Sequence, residues 1–220
     1  MRRLILGLAA DPIADPDYAG SDAVGIDAET QTYLDGKEVV HGQAATELER
    51  EHEMIDYGRD YVETHQEPQR ERVATEFFAD LDAGFVAVDK GDGDFLFDYL
   101  GVRNGTTIDR CRFDVDAFRS DLAAREKAEC WHVAADSGDA VSMDYHNAAR
   151  FDAEGEAAQV GFAYLFDGHP LRGVMAASGY AAVFHDEPAP VVGRWVREEL
   201  FEYAALPEDE QRELGGGADE

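Results

Sequence analysis

Lysine is almost missing from this chain. Of 19 basic residues only Lys37, Lys90 and Lys127 are lysines, and they stand against 48 aspartates and glutamates, for a formal charge of −29. The nearest approaches to a basic cluster are Arg2–Arg3, Arg70/Arg72 and Arg110/Arg112, each flanked by acidic or apolar residues. Nucleic-acid binding needs cations in array to displace the counterions of phosphates, so such a partner is disfavoured. Cysteine is scarce as well. Cys111 and Cys130 make neither a disulfide framework nor a Cys-x-x-Cys pair, and each reads as a small core residue rather than a nucleophile. No apolar run reaches the roughly 18 residues of a membrane span. The N-terminal segment Met1 to Ala10 has the outline of a signal peptide, but its short apolar run stops at Asp11-Pro12. It reads as a first β-strand of a cytoplasmic protein with no membrane partner.

Cofactor fingerprints are missing too. Outside the tail glycines, Gly-x-Gly occurs only at Gly91–Gly93, without the strand and helix that a dinucleotide site requires. No Gly-x-Ser-x-Gly is present. The segment Asp89 to Asp94 has some look of a calcium loop but lacks the regular ligand order and the distant glutamate. It reads as a solvated hairpin tip.

The excess of acid is a signal in its own right. Like charges at this density destabilise a compact state by self-repulsion. At molar ionic strength the Debye length falls to about 3 Å and the repulsion is mostly screened. The acid is spread along the whole chain, so the composition resembles that of cytoplasmic proteins from halophiles that accumulate salt. Against such a background, acidity says little about the partner.

The 220 residues are 45% hydrophobic and 10% aromatic, enough for a substantial core. The pattern predicts one α+β domain over 1–206 and a disordered acidic tail over 207–220. Residues 3–8 read as a strand, and Tyr33-Leu34-Asp35-Gly36-Lys37 as a hairpin turn. Leu48, His52, Ile55, Arg59 and Val62 recur at helical spacing, with a second stripe of Met54, Tyr57 and Tyr61 beside them. A long helix over 43–66 is therefore expected. After Pro68 a second helix carrying Val73, Phe77, Phe78 and Leu81 would complete a helical hairpin over 43–82. The second stripe exceeds what one sheet face needs, so this segment is expected to carry a partner surface, most simply a homodimer.

Strands are expected at Phe85–Asp89, Phe95–Tyr99, 129–135, 140–149, 157–166 and 172–185, closely spaced and therefore antiparallel. A short helix should follow the N-cap Asp114 over 115–127. An amphipathic helix over 191–205 should bury Val192, Trp195, Val196, Leu200 and Tyr203. The fold class is α+β: mainly an antiparallel sheet, a meander of hairpins, with the helical hairpin and the C-terminal helix packed on it.

One hairpin carries candidate chemistry. Trp131, Val133 and Ala135 form the apolar set of its first strand, and Val141, Met143 and Tyr145 that of its second. A three-residue turn at Ser137-Gly138-Asp139 makes the two sets share a face. His132 then stands opposite Asp144, with His146 on the same side, a set able to bind a divalent metal or move protons. The competing reading is a polar outer face with no site. No catalytic residues or cofactor can be named with that set alone. Three functions follow in order: a non-catalytic regulatory, adaptor or assembly protein acting through protein contacts; a metal-dependent hydrolase using His132, Asp144 and His146; and a small-ligand sensor with its pocket between sheet and C-terminal helix.

Overall fold

A computed structural model describes residues 1–33, 38–59, 61–136, 141–144 and 157–207, with 135–136 and 141–144 as backbone alone. The tail expected over 207–220 lies outside the described residues except for its first position. The elements in chain order are β1 (Arg2–Ala9), β2 (Val24–Thr32), β3 (Glu38–Tyr57), β4 (Val62–Asp80), β5 (Phe85–Asp89), α1 (Phe95–Asn104), β6 (Ile108–Arg110), β7 (Arg112–Phe113) and α2 (Val115–Ala124). Then follow β8 (Glu129–Asp136), β9 (Val141–Asp144), β10 (Ala157–Phe166), β11 (His169–Ala176), β12 (Tyr180–Val183), α3 (Ala189–Trp195) and β13 (Ala204–Ala205). A π-helical turn at Val196–Leu200 and a 3-10 turn at Phe201–Tyr203 continue α3.

Ten strands line up as β2-β3-β4-β5-β1-β12-β11-β10-β8-β9, and β6 adds to β1 as the eleventh member. Every neighbouring pair is antiparallel. The mainly antiparallel α+β class is thus present, as two meanders joined through β1. This strand is central because it is apolar on both sides. Leu4, Leu6 and Leu8 enter a core with α2 and α3, while Ile5 and Ala9 enter a second core with α1. Strand β5 divides the same way, with Phe85 and Ala87 on one face and Val86 and Val88 on the other. The result is three layers, α1, then sheet, then α2 with α3.

The helical hairpin expected over 43–82 is a β-hairpin, β3 with β4, in register from Val40↔Ala79 to Tyr57↔Val62. Its glutamates explain why. Glu47, Glu49, Glu51 and Glu53 recur every second residue and are all exposed, which is the period of a strand and scatters around a helix. At the other end, Val73, Thr75, Phe77 and Ala79 alternate into the core. Pro68 is tolerated mid-strand because β5 pairs β4 only over Phe77–Asp80. Among the described residues the edge beside Pro68 has no second neighbour to receive an N–H.

Two further expectations are corrected. Phe95–Tyr99 begins a helix, not a strand: Leu96, Phe97, Leu100 and Gly101 are buried at helical spacing, and Gly105 ends it at φ 69°. The strand expected over 172–185 is the β11–β12 hairpin. It turns at Gly179, whose φ of 75° and close approach to the Cys111 carbonyl both need glycine. Other elements match their patterns. Asp114 Oδ1 accepts the Ala117 N–H at 2.9 Å and caps α2. Thr32 pairs Glu38 across the expected first hairpin, whose turn residues 34–37 lie outside the described residues. Val192, Trp195, Val196, Leu200 and Tyr203 are all buried at the C-terminal end.

Candidate functional site: a projecting hairpin arm

Strand β2 parts from β3 at Val24↔Thr46, and β5 parts from β4 at Phe77↔Val88. From Glu47↔Arg72 to Tyr57↔Val62 the two strands pair only with each other among the described residues, over eleven rungs. At about 3.3 Å per residue this arm extends some 35 Å. Gly58 N–H donates to the Tyr61 carbonyl at 2.9 Å and closes its tip.

The arm's two faces differ. Even positions on β3 are half-buried: Leu48, Arg50 and His52. Arg50 is bound to Asp92 and lies 3.6 Å from Glu71 Oε2, which ties this face to the loop before α1. The opposite face carries the glutamate row, with Arg70 across from Glu49 and Arg72 across from Glu47. Arg72 Nε donates to Glu47 Oε1 at 3.0 Å. At the tip the acid gives way. Tyr57 is 81% exposed, Val62 72% and Ile55 59%, with Tyr61 and Met54 beside them. Nine large hydrophobic residues are exposed among the described residues, and five belong to this tip. Isolated apolar side chains on a surface are ordinary, but a cluster marks a contact site.

At the arm's base lies a recess of about 660 Å³ bounded by Ala23, Gly25, Ala45, Glu47, Arg70 and Arg72, among others. Its floor has small residues because Gly25 and Ala45 pair across β2 and β3, and Ala74 continues their row on β4 beside it.

The predicted His/Asp/His hairpin has another register. Asp144 pairs with Val133, not with His132, and Asp136 pairs with Val141. The physical reason is a β-bulge. Gly161 pairs with His132 and Phe162 with Cys130, leaving Trp131 as an extra residue. Trp131 therefore shares a side with His132. It packs over Gly161, where any Cβ would collide with its ring, and under the Arg172 guanidinium at 5.1 Å. Val133 points into the opposite core. Trp131 and Val133 are not one apolar set, so their burial does not align His132 with Asp144. His132 is 5% exposed, and burial lowers its pKa. His146 lies outside the described residues. Among the described residues no three His, Cys, Asp or Glu converge to hold a metal ion.

The remaining candidates have structural settings. Asp92 is engaged by Arg50, so the Asp89–Asp94 segment is a strand-to-helix turn, not a hairpin tip. Cys111 is buried and Cys130 half-buried. His52 stands across from Glu67 on the arm, its Nε2 buried without a hydrogen-bond partner. His169 Nδ1 lies 3.1 Å from Glu187 Oε2. Two polar groupings were not anticipated. Arg2 and His41 both engage Glu76 on the α3 face of the sheet, His41 at 2.7 Å. Arg197 Nε donates to Asp80 Oδ2 at 2.6 Å beside a recess of about 560 Å³ that Tyr18 also lines. No helix among the described residues is long and apolar enough to cross a membrane.

No protein-family model matches this chain, and no curated protein shows significant similarity to it.

Proposed function

We propose that the chain is a non-catalytic assembly or adaptor protein of a salt-adapted cytoplasm, acting through protein contacts made by the β3–β4 arm. The observation behind this reading is the cluster of Ile55, Tyr57, Tyr61 and Val62 at the end of an otherwise acidic ribbon. Each such side chain contributes roughly 1.5–3 kcal/mol when fully buried. Three of them together only match the entropic cost of association. The tip alone thus supports a weak, reversible contact, and a tight one must also engage the shaft.

The test is in-cell photo-cross-linking in a salt-accumulating host. A photoreactive residue at Tyr57 should yield a discrete adduct, and the same residue at Val102, equally exposed on α1, should not. Equal labelling at both positions, or none at Tyr57, removes the reading. A second reading, the small-ligand sensor, is favoured by the recess beside Arg197, where sheet edge meets C-terminal helix. Its test is a melting shift with small molecules that disappears in Arg197→Ala.

A further inference from the structure

We infer that the arm's occupant is a second copy of this chain: two arms lie face to face and antiparallel, each tip seated in the other's basal recess. This rests on the reading of the arm as a contact element and names its partner.

The spacing of residues along the glutamate-bearing face carries the inference. Glu51↔Pro68 is the middle rung. Six residues tipward stand Tyr57 and Val62, and six residues toward the base stand Ala45 and Ala74. A two-fold axis between the two faces, across the middle rung, brings each of these rungs onto the other. The largest exposed side chains of one arm then meet the smallest residues of its partner, where the recess of about 660 Å³ lies. Any other register would set Tyr57 against a longer side chain or off the sheet.

Charge makes this placement depend on salt. On this face the tip half carries Glu53 with Gln66, Ile55 with Thr64, and Tyr57 with Val62, but no basic residue. Both arginines, Arg70 and Arg72, belong to the base half. The two-fold lays β3 on β3 and β4 on β4, so Glu53 of one chain stands over Glu49 of the other, with Arg70 of the same rung diagonal to it. It carries Ile55 onto the Glu47–Arg72 ion pair, which presents no net charge. The like-charge contacts are Glu51 against its own copy and Glu49 against Glu53 on either side, and molar salt screens them. Pro68 removes one donor from the outer edge of β4 and so disfavours edge-on strand addition there. The operation is self-inverse, so the assembly closes as a dimer and not as a filament.

Sedimentation velocity of the full chain in molar KCl tests the inference. The wild type should show a concentration-dependent dimer. Tyr57→Asp at the tip and Ala45→Trp in the recess should each weaken it by about tenfold or more, the weight of a modest contact. Arg70→Glu should weaken it too, and Glu53→Arg in the same chain should restore it, since within one chain these two residues do not pair. Glu51→Gln should tighten the dimer most at low salt. In a Cys130→Ser background, a Tyr57→Cys chain mixed with an Ala45→Cys chain should be joined by a short bis-maleimide, and a Val102→Cys chain should not. All substituted positions on the arm are exposed, and a melting curve of each variant checks that it folds. A strict monomer at the highest soluble concentration, or a dimer indifferent to these changes, overturns the inference. An in-cell adduct at Tyr57 that joins a different protein, with the purified chain monomeric, overturns it while the arm-contact reading stands.

Discussion

Asp80, the last residue of β4, and Arg197, on the π-helical turn, meet at 2.6 Å with side chains only 8% and 18% exposed. The other carboxylate oxygen, Oδ1, accepts the Ala83 N–H at 2.9 Å. One side chain thus joins the β4–β5 turn to the C-terminal helical segment. Arg197→Ala leaves a buried carboxylate without its counterion and should cost about 3 kcal/mol. Chemical denaturation in high salt checks this, and a loss below about 1 kcal/mol would show that water replaces the arginine.

Glu76 offers a pH test. Burial acts to raise its carboxyl pKa, but hydrogen bonds from Arg2 and His41, with their charges, outweigh burial and leave it lowered. A carboxyl with a depressed folded value stabilises the fold above its unfolded value, about 4.3. That stabilisation is lost as pH falls through the lower folded value. Glu76→Gln should therefore cost about 1–2 kcal/mol at neutral pH, and the two proteins should converge as pH falls below 4.3. Parallel stability curves down to the acid transition would refute the assignment.

The two thiols should differ in reactivity. Burial pushes Cys111 up to about 12, against a smaller opposing effect of the Arg110 charge, and the residue is 1% exposed. Cys130 is also raised by burial but is only half-buried. With a chromogenic disulfide at neutral pH, Cys130 should label first and Cys111 only at the rate of unfolding. Labelling of Cys111 at the speed of a free thiol would be inconsistent with this packing.

Salt should govern folding. Successive glutamates in the row Glu47, Glu49, Glu51, Glu53 are about 7 Å apart along the strand. That is inside the Debye length of about 10 Å at 0.1 M salt and outside the roughly 3 Å at 1 M. The melting temperature should climb from dilute buffer to molar KCl. A flat profile would argue that the charge of −29 is offset by contacts and not by screening.

Local patterns sufficed where residue types alone decide an element's fate. The run Leu4 to Leu8, the capping Asp114, the strand Phe85–Asp89 and the C-terminal stripe from Val192 to Tyr203 could all be read from residue types alone, because each is buried by its own periodicity. The arm was hidden for the opposite reason. Leu48, Ile55 and Val62 fit a helical spacing, and only the glutamates at every second residue betray a strand. Which period prevails is decided by the pairing of β3 with β4, held at the base by β2 and β5 on either side. The His132–Asp144 pairing failed on something more local, a bulge that moves Trp131 to the other side of the sheet. A bulge leaves no mark in alternation until the partner strand, with Gly161 making room for the indole, is in place. Composition and periodicity thus determined the charge, the class of fold and the central core. Tertiary structure alone decided the arm, its recess and the register, because strand pairing, not local propensity, sets which residues share a face.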